Sequence, residues 1–329
     1  MAELQSLKRS DFWIRYETRE RPTSITGYAI LRYNFDGAAA LRGDGSLPLT
    51  PPVGVPVTAL DYLENSLQAQ SSDMRRTFPK LSEVTRTVTI QMRQALTSGS
   101  YVNGAPNGSL IWAQNGLPWQ EKKQAGLQQV TYLVQILTGG TGPNYTAALQ
   151  NGGRDSLANA FPARIGEVLD IVWQNNAGPI GKFDVHPMHT HGEHIWDLGS
   201  GNGTYDAIAN EARFVNGVVP AKRDTTYLYR SSNATGVNVD QGWRAWRIKI
   251  TKRNVGAWMM HCHIAQHATM GMNTIWVFGT PKDIKKKFPS LPYTTGYTTY
   301  GGSAYGSEKK APVVNAYFAD ANGDGEADA

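Results

Sequence analysis

Seven histidines and a single cysteine are the residues of this chain best suited to bind a metal ion. All seven histidines lie in the runs HPMHTHGEH (186–194) and HCHIAQH (261–267), and Cys262 lies inside the second run. Histidines with unrelated structural roles would be spread along the 329 residues, so this clustering indicates a shared chemical task. Because imidazole and thiolate are preferred ligands of copper and zinc, the two runs predict a transition-metal centre.

Alternation along a strand separates these ligands into two groups. Residues two apart share a face, so His189 and His191 point the same way, as do His261 and His263. Cys262 lies between the last two and points to the opposite face. We therefore expect two metal sites on the two sides of one strand, one of imidazoles alone and one that contains the thiolate.

The thiolate side needs further ligands, which the sequence offers. A turn after Ile264 would bring His267 back towards Cys262, and Met272 follows ten residues after the cysteine. His186 would complete a set of two histidines, one cysteine and one weakly bound methionine. That set is typical of blue-copper electron-transfer centres, whereas structural zinc sites are closed and tetrahedral.

The surrounding segments predict a β protein that presents these ligands. Short strand-like runs follow one another without alternating helices, which is typical of a sandwich or barrel. The predicted strands are 12–18, 27–33, 84–92, 110–113, 130–137, 166–174, 194–198, 223–230, 243–250, 256–260 and 273–278. The 34 glycines and 17 prolines agree with many turns, and 40% hydrophobic residues allow a packed core.

Composition argues against several other classes of protein. The net charge is only +5 and the basic residues are scattered, apart from 285–287, so we expect no nucleic-acid binding. No run of 18 apolar residues exists, so we expect no membrane-spanning helix. The single cysteine excludes an intramolecular disulfide framework, and the first residues lack the apolar region of a signal peptide.

Taken together, the two histidine runs resemble the carboxy-terminal copper motifs of the multicopper oxidases, which comprise laccases, ascorbate oxidases and ferroxidases. HPMHTH and HCHIAQHATMGM carry the resemblance, and GSGNGTYDA, AKRDTTYLYR and GWRAWRIKIT favour the fungal ascorbate oxidase-like members. The resemblance implies an all-β, cupredoxin-like Greek-key β-sandwich at 81–280. The strands in 1–45 would then end a preceding cupredoxin domain, 46–80 would be a linker, and 281–329 an extended or disordered tail.

The resemblance also implies a copper role for each ligand. The implied sites are a type 1 copper at His186, Cys262, His267 and the axial Met272, a type 2 copper at His189, and a type 3 pair at His191, His261 and His263. Met270 is the competing axial candidate. A small reducing substrate, such as ascorbate or a phenol, would give electrons to the type 1 copper. They would pass through Cys262 and its flanking histidines to the trinuclear cluster, where O₂ is reduced to water.

The family's trinuclear site uses eight histidines, and four of them are missing here. Residues 1–185 contain no histidine, whereas the family places four in an amino-terminal cupredoxin domain. We therefore expect an amino-terminal cupredoxin chain or segment to supply them, with the present chain being a truncated product, a fragment or one subunit of a two-chain oxidase. The alternative function is a type 1 electron-transfer module without oxidase activity.

Two further interpretations concern the surroundings of the first run. His189, His191, Glu193 and His194 are similar to the H-x-H-x-D-H pattern of metallo-β-lactamase-type zinc hydrolases, but that interpretation leaves HCHIAQH unexplained. Four Asn-x-Ser/Thr sequons, at Asn107, Asn144, Asn202 and Asn233, agree with the secreted glycoprotein that the resemblance implies.

Overall fold

The chain divides into two compact units, Met1–Glu64 and Asn65–Ala329. The computed structural model describes residues 11–17, 23, 25–32, 64, 67–97, 100–102, 105–107, 109–119, 132–139, 141–179, 181, 183–214, 217–229 and 236–290. In the first unit, β1 (Asp11–Glu17) pairs antiparallel with β2 (Thr26–Arg32), as the sequence predicts within one residue. All the ligand candidates lie in the second unit.

Two facing sheets form the second unit. The first sheet consists of β3 (Arg86–Leu96), β6 (Leu110–Gln114), β8 (Val168–Asn176), β10 (Ile195–Gly201), β11 (Lys222–Arg223) and β13 (Asp240–Lys249). The second consists of β7 (Ala160–Ala163), β9 (His186–Thr190), β12 (Thr225–Leu228), β14 (Gly256–Cys262) and β15 (Asn273–Phe278). A separate short hairpin pairs β4 (Ser100–Val102) with β5 (Ala105–Asn107).

Neighbouring strands in both sheets come from distant parts of the sequence. The first sheet has the order β11-β10-β13-β8-β3-β6 and the second β12-β9-β14-β15-β7. The pairs β3–β8 and β7–β15 are parallel, and the other pairs are antiparallel. The predicted all-β sandwich is therefore confirmed, with β14 at the centre of the second sheet.

A hydrophobic core fills the space between the two sheets. Strand alternation sends Val88 and Ile90 of β3 inward, and they pack against Trp276 and Phe278 of β15. Cys262 belongs to this core, where its side chain is fully buried. The thiol thus lies in the packed interior of the domain, where neighbouring side chains fix its position.

The outer face of the first sheet is also covered, which explains why β8 is buried along its whole length. Arg247 of β13 is fully buried and its Nε donates to Asp170 of β8 at 2.7 Å. Its Nη1 lies 3.1 Å from Glu211 and donates to the Pro79 carbonyl at 2.9 Å, while its guanidinium lies over the Phe78 ring. Phe78 and Pro79, which fall in the predicted linker, therefore pack onto this face; residues 46–63 lie outside the described residues.

Six short α-helices lie within the residues that the structure describes. They are α1 (Ser72–Thr77), α2 (Tyr132–Leu137), α3 (Tyr145–Gln150), α4 (Ala207–Glu211), α5 (Ala265–Thr269) and α6 (Pro281–Lys287). No helix in the described part of the chain is both long and apolar enough to cross a membrane.

Helix α2 corrects the prediction of a strand at 130–137. A short apolar run fits a buried strand and a buried helix equally well, so its periodicity does not decide between them. Ile136 of α2 packs with Ile284 of α6 in a small buried cluster that also contains Val255 and Val277. This tertiary packing selects the helix.

Helix α6 corrects the prediction that an extended or disordered tail begins at residue 281. The Thr280 hydroxyl accepts a hydrogen bond from the Asp283 N–H, and the Asp283 carboxylate accepts one from the Thr280 N–H, which together form a capping box. Pro281 at the first helical position also favours the start of a helix here, and the buried Ile284 anchors the helix to the domain. The domain therefore continues beyond residue 280, and residues 291–329 lie outside the described residues.

Candidate metal centre

Strand β14 separates the two groups of ligands as alternation requires. Its pairing with β9 sets His261 opposite His189 and Cys262 opposite Met188. Cys262 is buried in the core, whereas His261 is half-buried and His263 is exposed. Strand β14 therefore carries the thiol on its inner face and the His261 imidazole on its outer face, and His263 follows directly after the strand.

Three donor atoms converge on the inner side: Sγ of Cys262 and the Nδ1 atoms of His186 and His267. The two Nδ1 atoms are 3.2 Å apart, and Sγ lies 3.9 Å from the first and 3.6 Å from the second. The point equidistant from three atoms with these separations lies about 2.1 Å from each, close to the metal–nitrogen and metal–sulfur bond lengths of transition-metal sites. The three residues therefore fit a metal ion of this class.

The pairing of two strands and the short helix that follows one of them explain how residues so far apart in sequence meet here. His186 begins β9 and Cys262 ends the neighbouring β14. Helix α5 starts directly after Ile264, which is where the sequence predicts a turn, and it brings His267 back to the thiol. The Ile264 N–H points at Sγ at 3.5 Å, a contact suited to a thiolate.

The two methionine candidates differ in burial. Met272 is fully buried in the same cluster as Cys262, and its backbone is tied to two ligands. Its carbonyl accepts from the Cys262 N–H at 3.2 Å, and its N–H donates to the His267 carbonyl at 2.9 Å. Met270 is only partly buried, and its carbonyl accepts from the Trp112 N–H. Met272 is thus the methionine whose position depends directly on the ligand group.

Burial controls the protonation of the inner group. Desolvation raises the pKa of the Cys262 thiol to about 12, a nearby Asp184 charge adds to the effect, and the Ile264 N–H opposes it. The free thiol is therefore neutral at physiological pH, and a metal ion must displace its proton on binding. A soft thiolate ligand on a histidine pair is the donor chemistry that suits copper.

Trp112 packs against the inner group from the opposite sheet. Its ring centroid lies 4.6 Å from that of His186, edge-on, and 4.8 Å from that of His267, tilted. Because Trp112 is 1% exposed, its ring is held by the core and confines both imidazoles.

Four imidazoles gather on the outer side. Neighbouring ring centroids among His189, His191, His261 and His263 are 5.1–5.7 Å apart. The Nε2 atoms of His191 and His261 approach to 3.3 Å. Burial, followed by the neighbouring imidazoles, lowers the pKa of His191. Burial and the neighbouring rings also lower the pKa of His261, so both are neutral donors at pH 7.

Two of these rings are oriented by hydrogen bonds through Nδ1. In His189 this atom lies 3.0 Å from both the Asp224 carbonyl oxygen and the Thr225 Oγ1, and in His261 it lies 2.9 Å from the Cys262 carbonyl oxygen. A proton on Nδ1 donates to a carbonyl and leaves Nε2 as the ligand atom. Within the described residues, however, only the inner group brings three donors within 4.8 Å of one another.

Glu193 and His194, which follow the first run, belong to neither group. Glu193 lies 3.1 Å from Lys222 in an ion pair, and the exposed His194 lies 3.8 Å from the Asp224 carboxylate. The pattern similar to zinc hydrolases therefore does not assemble into a metal group among the residues that the structure describes.

Sequence reasoning missed Trp112 and Asp184 beside the inner group. Trp112 lies 74 residues before His186 in an unremarkable strand, and no local signal connects them. Asp184 lies only two residues before His186, so strand spacing alone offered a hint that it shares that residue's surroundings.

Comparison with known proteins gives consistent results. Residues 128–280 match the family model described as multicopper oxidase. The multicopper oxidase aurL2 of Gibberella zeae is 57% identical over 314 residues, covering 95% of this chain and 52% of that protein. A laccase-like multicopper oxidase of Thermothelomyces thermophilus is 38% identical, covering 95% and 46%. An L-ascorbate oxidase of Cucurbita maxima is 33% identical over 123 residues, covering 37% and 19%. The chain thus spans about half the length of the first two relatives.

Proposed function

The chain belongs to the multicopper oxidase family, and on this premise we propose that it supplies the type 1 copper site and half of the trinuclear cluster of an oxidase. The observation that carries the proposal is the convergence of His186, Cys262 and His267 on one point, with four imidazoles on the opposite side of the sheet, at the ends of the paired strands β9 and β14. When bound, copper would supply one-electron redox chemistry, so that four electrons from a reducing substrate, with four protons, could convert O₂ to two waters.

His186, Cys262 and His267 would hold the type 1 copper, with the neighbouring buried Met272 as a weak additional ligand. The buried thiol excludes water from the site, and Trp112 confines the two imidazoles, so the ligands are preorganised. A preorganised, water-excluded site changes little between oxidation states, which suits rapid electron transfer. The reducing substrate is a small molecule of the ascorbate or phenol type.

His189 would hold the type 2 copper, and His191, His261 and His263 the type 3 pair. The peptide bonds on either side of Cys262 join the two sites covalently. The contact between the His261 Nδ1 and the Cys262 carbonyl oxygen, at 2.9 Å, adds a second, shorter connection. With both sites loaded, the residues on either side of Cys262 would therefore offer electrons a short path away from the sulfur.

Another cupredoxin chain or segment would supply the remaining four histidines. The outer four are partly exposed and do not close around one point by themselves, as is expected of half a site. The chain matches about half of the length of its two fungal relatives, which agrees with a division of the ligands between two parts of an oxidase. We also propose secretion, which is consistent with the exposed sequon residues Asn144 and Asn202.

A type 1 electron-transfer module is the second candidate function. It is favoured by one observation: the inner group is complete within the described residues, whereas the outer group is not. In that case electrons would leave the protein to an external acceptor rather than to O₂.

The first experiment measures copper per chain, the visible spectrum and O₂ uptake of the copper-loaded protein. One copper per chain with a blue band and no O₂ uptake is the expected result. Cys262→Ser should remove the blue band, whereas Met270→Leu, a nearby change outside the proposed ligand set, should keep it. A colourless wild-type protein would overturn both candidate functions. Four coppers per chain with O₂ uptake would contradict the claim that another chain or segment must supply four histidines.

A second experiment separates the two candidates. The tagged chain is captured from its native source together with whatever binds it, and O₂ uptake of the complex is measured with a reducing substrate. The oxidase proposal expects uptake that His191→Ala abolishes while the blue band remains. A blue complex that never consumes O₂ would favour the electron-transfer module.

A further inference from the structure

A cavity near the β11 edge of the first sheet contains none of the proposed copper ligands. Its volume is about 470 Å³, and its walls come from α1, from parts of β10, β11 and β13 and from the turn that follows β13. Ligand pockets in proteins typically measure about 300–1,000 Å³. The cavity therefore has room for a small organic molecule.

The most deeply buried side chains that line the cavity are apolar. Ile248 is 1% exposed and Trp196 is 4% exposed. The partly buried Phe78 also lines the cavity, and its ring contacts the Trp196 ring edge-on at a centroid distance of 5.4 Å. A third ring placed beside these two would find both apolar contact and favourable aromatic geometry, so the inner part of the cavity suits an aromatic ligand.

Charged side chains line the rest of the cavity, and most of them neutralise one another. The ion pairs are Arg76 with Asp73 at 2.5 Å, Lys222 with Glu193 at 3.1 Å and Lys249 with Glu83 at 3.6 Å. Arg253 also lines the cavity, and among the described residues no ion pair or hydrogen bond engages its guanidinium. The lining thus carries four positive and three negative charges, and the unpaired one belongs to Arg253.

Hydrogen bonds fix the turn that carries Arg253. Its backbone N–H donates to the Thr251 hydroxyl at 3.2 Å, and its carbonyl accepts from the Lys287 ammonium at 2.6 Å. The buried Asn254 closes the turn, because its Oδ1 accepts from the Thr251 N–H at 2.8 Å. The guanidinium therefore extends from a fixed backbone, which lowers the entropic cost of placing it on a ligand.

We propose that this cavity is a binding site for a small aromatic carboxylate. The ring of the ligand would lie against Trp196, Phe78 and Ile248, and its carboxylate would pair with Arg253. A guanidinium can bind a carboxylate through two parallel hydrogen bonds, so this charge selects a carboxylate in particular. Because no copper ligand lines the cavity, binding needs no copper and is independent of the proposed oxidase function.

Calorimetric titration of the copper-free chain with two probes of the same shape tests the proposal. 2-Naphthoate carries one negative charge, and 2-naphthamide is its neutral counterpart. A charge pair about 4 Å apart in water strengthens binding roughly fivefold, and partial exclusion of water increases the factor. 2-Naphthoate should therefore bind with a Kd of about 1 mM or lower, at least about fivefold tighter than 2-naphthamide. The difference should shrink with added salt.

Arg253→Gln removes the unpaired charge and keeps the backbone hydrogen bonds of the turn. It should weaken 2-naphthoate binding at least about fivefold, to the affinity of 2-naphthamide, and leave 2-naphthamide binding unchanged. Lys252→Gln is the matched control, because it removes an equal charge from the preceding exposed residue, which does not line the cavity. Both affinities should stay within about twofold of wild type in this control.

Three results would refute the site. The first is the absence of saturable 2-naphthoate binding to the wild-type chain, and the second is equal affinity for the two probes. The third is unchanged 2-naphthoate binding in Arg253→Gln, which would place any binding elsewhere on the protein. Because the copper-free chain is used throughout, none of these results depends on whether the blue copper site forms.

Discussion

Replacement of Trp112 by phenylalanine should weaken copper binding as well as folding. The indole is 1% exposed, and its ring lies 4.6 Å from the His186 ring and 4.8 Å from the His267 ring. Buried aromatic pairs are worth about 0.5–1.5 kcal/mol each beyond area burial. The smaller ring loses part of both contacts and leaves a small void, so we expect the apo protein to lose about 1–3 kcal/mol of unfolding free energy.

The loss of ligand confinement adds a separate effect on the metal. Two imidazoles that are free to rotate must be ordered again on binding, at a cost of about 0.5–1 kcal/mol for each side chain. Copper affinity should therefore fall about five- to thirtyfold. Urea denaturation of the apo protein gives the first quantity, and competition with a copper chelator gives the second.

Trp173→Phe is the matched control, because Trp173 is also fully buried and its edge contact is with the Trp246 ring rather than with an imidazole. It should lose comparable stability while its copper affinity stays within twofold of wild type. Equal copper affinities in the two variants would show that Trp112 only fills space, and the reasoning on preorganised ligands would then be wrong.

Two further predictions concern the packing around the sheets. Asp170→Asn should cost about 3 kcal/mol in urea denaturation because it leaves the buried Arg247 without its main carboxylate, whereas Asp73→Asn in an exposed pair should cost under about 0.5 kcal/mol. Thr280→Ala should cost about 1 kcal/mol through loss of the α6 cap. Hydrogen bonds from Thr280 lower the pKa of Asp283, so this cap stabilises α6 at neutral pH and is lost as the pH falls through the depressed pKa. Thr280→Ala should therefore show a weaker acid dependence of stability than wild type, and an unchanged dependence would contradict the capping argument.

The sequence predicts best on which face of the strand each candidate ligand lies. The spacing of His261, Cys262 and His263 is enough to place the thiol on one face and the imidazoles on the other, provided that the segment is a strand. The pairing of His261 with His189 then brings the two runs together. The turn after Ile264 was also predictable, because an extended chain could not return His267 to the sulfur.

Contacts made across the domain are the part that sequence patterns do not predict. Trp112 reaches the ligands only because β6 lies at one end of the first sheet and its side chain crosses the core. Likewise, the apolar run at 130–137 becomes a helix because Ile284 offers it a partner 148 residues after Ile136. In both cases the deciding interaction lies outside the window that local periodicity samples.

The distance in sequence between the inner ligands has a consequence for the order of folding. His186 is 76 residues from Cys262 and 81 from His267, and the three meet only after β9 has paired with β14. An unfolded or partly folded chain therefore offers the metal two separate groups of donors rather than the assembled set of His186, Cys262 and His267. During refolding in the presence of copper, the blue band should consequently appear later than the β-sheet signal. The blue band would therefore report the moment at which β9 and β14 have paired and the sandwich is complete.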